Sequence, residues 1–415
     1  MTELTSSAAP VTSFPAKRTC PFSPPPEYSR MRDEGRVAMA ALPSGQRAWV
    51  LTRHEDVRTM LTDPRFSSNR FNPGFPLMIE RFQQTDEETR KNPFRVSLIN
   101  MDPPEHGQAR REVVGEFTVK RMRALQPRIQ QIVDEHIDAM LAGPPHHGKR
   151  SADLVQALSL PVPSLVICEL LGVPYEDHEF FQQRSSTLLN RQADAPERQQ
   201  ASDELRKFLD ELVTAKEAAP GDDLLGRQIV KQRETGEVDH LGLVATAFLL
   251  LIAGHETTAN MISLGTLTLL ENPDQLAMIK ADPGKTPDAV EELLRYFTIA
   301  EFATSRVTTE DVEIAGVVIP KGEGVIGLSN SANRDESAFE NPDTLDIERG
   351  ARHHVAFGFG AHQCLGQNLA RMELQIVFDT LFRRIPTLKL ATSVDELPFK
   401  NDSQIYGLHE LPVTW

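Results

Sequence analysis

The chain is short of cysteine, of positive charge and of long apolar runs, and each shortage excludes something. It has three cysteines in 415 residues, Cys20, Cys168 and Cys364, and no C-x-x-C pair. That excludes a disulfide scaffold and an obvious structural zinc site, and it suits a reducing compartment. Its 44 Lys and Arg face 59 Asp and Glu, a formal net charge of -15. A nucleic-acid coat would want a basic face, so that class is disfavoured, although a local basic patch for an acidic partner stays open. The opening MTELTSSAAPVTSFPAKRTCPFSPPPEYSRM has no apolar h-region, so no secretory signal is expected. The longest nearly apolar stretch covers residues 241–254, short of the ~20 residues a membrane span needs. A soluble, cytoplasmic protein is expected.

What is present is ordinary globular material: 40% hydrophobic and 25% charged residues. Residues 1–26 are rich in Pro, Ser and Thr and read as an extended arm. No hinge-like linker or internal repeat divides residues 27–415, so one domain is expected there. Residues 45–52 read as a strand and 54–61 as a helix, whereas 66–99 has no period and reads as a long loop. Asp102 is placed to cap a helix with Pro103 in its first turn, and helical spacing then continues to about residue 141. Further helices are expected at 163–171, 176–190 and 203–217. Residues 241–270 predict a long helix, apolar nearly all round and therefore buried. Thr286-Pro287 opens another, residues 312–320 form a strand–turn–strand, and 365–384 forms the last helix. The expected class is mainly α with a minor β region (α+β).

The most informative segment is FGFGAHQCLG, residues 357–366. Gly358 and Gly360 permit tight backbone geometry and close approach to a flat ligand. Cys364 precedes a helix N-terminus, where amide N–H groups favour a thiolate. A lone thiolate is a poor zinc site and a good axial ligand for haem iron. Taken alone, Cys364 reads more readily as a small buried hydrophobe in a glycine turn, and the surrounding pattern reverses that preference. The spacing Phe357-Gly358-x-Gly360-x-His362-x-Cys364-x-Gly366 resembles the haem-binding signature of the cytochrome P-450 superfamily. The order of the other motifs is similar to that of its soluble bacterial members, especially the actinomycete group.

The resemblance implies a triangular helical domain around haem b, with small sheets and Cys364 as the proximal thiolate. It implies cofactor-binding roles for Phe357, Gly358 and Gly366. In AGHETT it implies that Gly254 lets the long helix open beside the iron. Glu256 and Thr257 then match the acid–alcohol pair that delivers protons; His255 and Thr258 are neighbours. From spacing alone, Thr257 would bond back to a carbonyl of its own helix. Glu292 and Arg295 match the family's E-x-x-R pair, with Arg349 as third member and a structural role. His106, Arg110, Arg306 and His362 match the cationic partners of the haem propionates. By analogy the substrate pocket would use Phe71, Phe75, Phe94, Leu98, Phe248, Ala253, Ile299, Phe302 and Ile405.

The implied reaction is insertion of one atom of O2 into a hydrophobic small molecule by a monomeric monooxygenase. With no flavin or iron–sulfur motif in the chain, electrons would come from a ferredoxin and its reductase. Arg110, Arg111, Lys120 and Arg352 are candidates for a basic docking patch. Three alternatives share the motifs: an NADH-dependent nitric oxide reductase, a peroxygenase, and a haem-binding sensor or carrier without turnover. Two further motifs are set aside. Residues 322–327 fit G-x-G-x-x-G but read as a turn entering a strand, not a dinucleotide site. The histidine pair at 146–147 reads as a solvated loop.

Overall fold

A computed structural model describes residues 12–35, 37–78, 97–143, 150–174, 177–190, 193–401 and 403–415. Near the N-terminus, β1 (Thr12–Ser13) and the first helix α1 (Pro26–Glu34) precede a hairpin of β2 (Val37–Ala41) and β3 (Arg47–Leu51). Gly45, at φ +80°, makes the turn between them. The arm is not wholly loose: β1 pairs with β2, and Phe14 beside it is buried. Helix α2 (His54–Thr62) and β4 (Phe66–Ser67) follow. Chain from the far half completes the sheet with β6 (Ser305–Thr308) and β9 (Gly324–Gly327), in the order β1-β2-β3-β9-β6-β4. The glycines of 322–327 serve that sheet. A Cβ on Gly74 would meet Gly322 O at 1.8 Å, and one on Gly324 would meet Gly74 O at 2.8 Å. Close approach of two backbones requires them.

The expected helix after Asp102 is two helices, α3 (Glu105–Val113) and α4 (Val119–Ala142), separated by a 3-10 turn at Val114–Phe117. Thr118 accepts from Arg121 N and starts α4 afresh. Asp102 does not cap α3; its carboxylate instead accepts from Ser68 N at 2.8 Å and from the Ser67 hydroxyl. β5 (Ser151–Asp153), α5 (Pro161–Leu171) and α6 (His178–Leu189) come next. α7 (Ala195–Ala218) begins earlier than expected because DAPERQQ is a capping signature, Asp194 and Glu197 exchanging bonds as a capping box. α8 (Leu224–Thr235), capped by Asp223, was not foreseen.

Asp239 caps α9 (His240–Glu271), a helix that by length and composition could cross a membrane. Here it is the axis of the main core, packed against α5, α7 and the last helix, α12 (Gln367–Arg384). Between them lie α10 (Pro273–Ala281), α11 (Thr286–Phe297) and the hairpin β7 (Val312–Ile314) with β8 (Val317–Ile319). β10 (Lys389–Leu390) and β11 (Pro412–Thr414) join β5 in a three-stranded sheet. Among the described residues the architecture is mainly helical with three sheets, in line with the expected mainly α class with a minor β region.

Candidate active site

The Cys364 loop is shaped by two left-handed glycines, Gly358 at φ +68° and Gly360 at φ +72°. A side chain on Gly360 would also strike Leu61 O at 2.7 Å. Cys364 N donates to Phe357 O at 2.8 Å, which closes the loop just before α12. The Phe357 ring is braced by the Arg371 guanidinium, 4.6 Å from its centroid. Burial pushes the Cys364 thiol up from its ordinary value, while the amides of Gly366 and Gln367 and the charges of Arg110 and Arg371 pull it down. The helix end alone therefore does not secure the thiolate expected from the sequence. Burial outweighs it, and a cation bound to the sulfur would reverse the balance. A Cβ on Gly366 would meet nothing within 4 Å, so space is open beside the sulfur loop.

Next to this loop the fold gathers two arginines and two imidazoles. The rings of His106 on α3 and His362 lie 3.9 Å apart. Arg110, one turn on from His106, donates to Gln363 O at 2.7 Å. Arg306 on β6 is buried, and burial together with the nearby charge of Arg70 pushes its pKa down to about 10. Burial, then Arg306, His106 and Arg110, push His362 down to about 3. Asp102 bears on His106 and Arg306, but it is already committed to Ser67 and Ser68. His106 Nε2 is buried with no hydrogen-bond partner. Such a set wants an anion. The two carboxylates of a haem beside Cys364 fit it in charge and donor type. Arg70 was missed; an arginine in a turn-rich loop carries no signal.

Glu292 and Arg295 form a fully buried fork, with bonds of 2.7 and 2.8 Å. Arg349 joins through Glu292 Oε1 at 3.1 Å. Arg295 also donates to Asn333 O and Pro342 O, both at 2.8 Å, so the trio holds the coil before the cysteine loop. His354 lies 3.3 Å from Glu291, which also takes Arg371; with burial opposing, these partners hold its carboxyl down at about 2.

On α9, Ala253 is exposed and Ile252, Gly254 and Thr257 are half-buried, while His255, Glu256 and Thr258 are buried. Thr257 Oγ1 donates to Ala253 O at 2.6 Å, the back-bond its position predicts. Glu256 is deeply buried and takes Lys400 Nζ at 2.5 Å. Lys400 lies 144 positions away and was not anticipated. At Gly254 a Cβ would meet the Ile167 side chain of α5 at 2.7 Å, so packing of α5 on α9 also favours glycine at this position.

The expected pocket residues do not all face one space. Phe302 turns its ring edge-on to Phe14 at 5.4 Å, in the core of the N-terminal sheet. Phe75, Phe248 and Ile299 are buried; Phe71, Leu98 and Ile405 are half-buried. Phe94 and the histidine pair at 146–147 lie outside the described residues.

The family model for cytochrome P450 matches residues 45–282 and 286–413. The chain belongs to the cytochrome P450 family. It is 51% identical to cytochrome P450 105A3 of Streptomyces carbophilus over 100% of this chain and 98% of that one. It is 52% identical to pentalenic acid synthase of Streptomyces avermitilis, over 99% of both chains. Among solved structures, cytochrome P450 MoxA of Nonomuraea recticatena superposes with a TM-score of 0.86 at 58% identity, over 97% of this chain and 98% of that one. This P450 is a monooxygenase of bacterial type. The family implies haem held by a cysteine thiolate, and such enzymes use redox partners, O2 and hydrophobic substrates.

Proposed function

We propose that this P450 hydroxylates or epoxidises a hydrophobic small molecule, a specialised metabolite or xenobiotic, using haem b bound to Cys364. The observation that carries the reading is the donor pocket beside the cysteine loop, two arginines, Arg110 and Arg306, with the imidazoles of His106 and His362 and an orphaned His106 nitrogen. These four groups would hold the two propionates. Phe357, Gly358 and Gly366 would shape the face next to the sulfur. When bound, haem supplies the activation of O2 that lets one oxygen atom enter a C–H or C=C bond. The protein must then deliver two protons for the other atom. Thr257, whose hydroxyl sits in the exposed gap on α9, would hold a proton there, and Glu256 would supply it. Glu292, Arg295 and Arg349 would keep the cysteine loop in register without touching the chemistry.

Residues 27–415 would act as one catalytic unit, a cytoplasmic monomer. Electrons would arrive from a ferredoxin and its reductase. Of the basic residues near Cys364, Arg110 is committed to Gln363 O and Arg352 pairs with Asp288 at 3.4 Å. Exposed Arg111 and Lys120 flank the exposed Val114 and Val119, a mixed patch suited to an acidic partner. Substrate would meet Leu98, Ala253 and Ile405, and the relative named pentalenic acid synthase supports a metabolite of that general apolar kind.

The test is a reduced, carbon-monoxide difference spectrum. A strongly red-shifted Soret band is expected, and spin-state shifts would then screen substrates. Absence of haem after reconstitution would overturn the reading.

A further inference from the structure

Glu256 lies where distant parts of the chain converge. Lys400 Nζ reaches Glu256 Oε1 at 2.5 Å, and Asn260 Nδ2 reaches the same oxygen at 3.4 Å. On the other side His255 Nε2 stands 3.9 Å from Glu256 Oε2, and His255 Nδ1 meets the Ser185 hydroxyl of α6 at 3.2 Å. Lys400 belongs to a hairpin closed by the Phe399–Leu408 bridge and by Lys400 N donating to Gly407 O. The tip of that hairpin bridges from Ser403 to Asn190, at the end of α6. The acid thus receives one direct contact from outside its own helix, Lys400, while α6 reaches only its neighbour His255.

Lys400 also lines a second space. A cleft of about 780 Å³ separates the N-terminal arm from the 399–409 hairpin, with Pro15, Lys17 and Arg18 on one wall and Tyr406 and His409 on the other. Lys17, Asn401 and His409 are exposed at its mouth, and the Lys400 side chain keeps a tenth of its surface accessible. The cleft therefore brings water to one side of Lys400 while the ammonium faces Glu256 on the other.

The choice of lysine is informative. Two buried carboxylates on the cysteine side, Glu291 and Glu292, are held by arginines. A guanidinium cannot release a proton in a protein, whereas an ammonium can. Resting on the reading of Glu256 as proton donor, we propose that Lys400 recharges Glu256 with protons drawn from the cleft beneath the N-terminal arm. The Lys400 ammonium passes one N–H proton to the ionised Glu256 Oε1, and the protonated Glu256 then gives that proton up toward the Thr257 gap and returns to carboxylate. Lys400 takes a proton from cleft water, and the ammonium–carboxylate pair is restored. Two such cycles supply two protons. With two electrons from the redox partner, they convert one oxygen atom of O2 to water.

The experiment compares Lys400→Arg, Lys400→Met and Glu256→Gln as holoenzymes supplied with a ferredoxin, its reductase and O2. The readouts are O2 consumption, the share of electrons recovered as peroxide, and the solvent isotope effect in D2O. Infrared difference spectra of the ferric protein, referenced to Glu256→Gln, report the Glu256 carboxylate without turnover. Lys400→Arg should keep the ionised carboxylate band and the haem content, yet slow O2 consumption by at least about tenfold and raise the peroxide share and the isotope effect. That combination separates a relay from a clamp. If Lys400→Arg matches the parent while Glu256→Gln is impaired, Lys400 only holds the carboxylate and the proposal fails alone. If Glu256→Gln is itself unimpaired, the role given to Glu256 fails first. Should Lys400→Met lose haem, Lys400→Arg decides the matter.

Discussion

The two sides of the site bury carboxylates to similar depth and hold them in different ways. Beside Cys364, Glu292 is gripped by Arg295 and Arg349, and Glu291 by Arg371 and His354. Remaining Arg295 donors go to the carbonyls of Asn333 and Pro342. Planar guanidinium forks give direction as well as charge. They fix a loop whose one sulfur must stay in place. On α9, Glu256 has a lysine, an amide and a histidine beyond bonding distance, and a cleft behind the lysine. Depth of burial alone does not separate these carboxylates; the chemistry of their partners does, and it is the ground for the different roles proposed for them.

The largest expected effect tests the cysteine side at its centre. Cys364→Ala should abolish the thiolate-ligated state entirely, read as loss of the red-shifted carbon-monoxide band, with the α9 side unaffected in its packing. Next comes the clamp. Arg295→Ala leaves Glu292 with Arg349 and the Asp346 amide only, in a fully buried site. Breaking one partner of a buried pair costs about 3–5 kcal/mol. Thermal unfolding should show it, and the yield of haem-loaded protein should fall with it. Arg295→Lys should recover little, because one ammonium cannot reach Glu292 and two carbonyls at once. Full recovery by lysine would erase the distinction drawn between the two sides.

The cysteine loop and the helix order were legible because their signals are local. A left-handed turn needs glycine where it occurs, and an apolar run of helical spacing announces a buried helix. The Glu292–Arg295 pair was legible for the same reason, lying three residues apart on one face. Lys400 was not, since nothing in LPFKND marks a lysine that will cross to residue 256. Asp102 misled for a physical reason: its position suits a cap, but two serine donors from the 67–68 strand end reach it instead. The contact of Phe302 with Phe14 was not legible either, because only tertiary contact decides which face an aromatic ring takes.

Acid should expose the clamps before anything else. Glu291 is held at about 2 in the folded protein, below the ordinary carboxylate value of 4.5, so its partners stabilise the fold above that ordinary value. The contribution is lost as pH falls from about 4.5 toward 2 and amounts to about 3 kcal/mol at most. Urea unfolding followed from pH 6 to pH 3 should lose stability steeply. Glu291→Gln should start lower and fall less. Equal slopes in both proteins would show that Glu291 is not gripped as its neighbours suggest.

The smallest effect falls on the boundary between the two sides, at Gly254. Its missing Cβ faces Ile167 of α5 at 2.7 Å. If packing is the reason for glycine, Gly254→Ala should cost about 1–3 kcal/mol from overpacking. Ile167→Ala, which removes the two carbons in the way, should make the pair of changes less damaging than their sum. The carbon-monoxide band should keep its position in all three proteins. A Gly254→Ala protein of unchanged stability but altered spin state would return the glycine to the α9 groove. It would then belong with Thr257 and Glu256 among the working residues, and the packing of α5 on α9 would have to be explained by the side chains on either side of it.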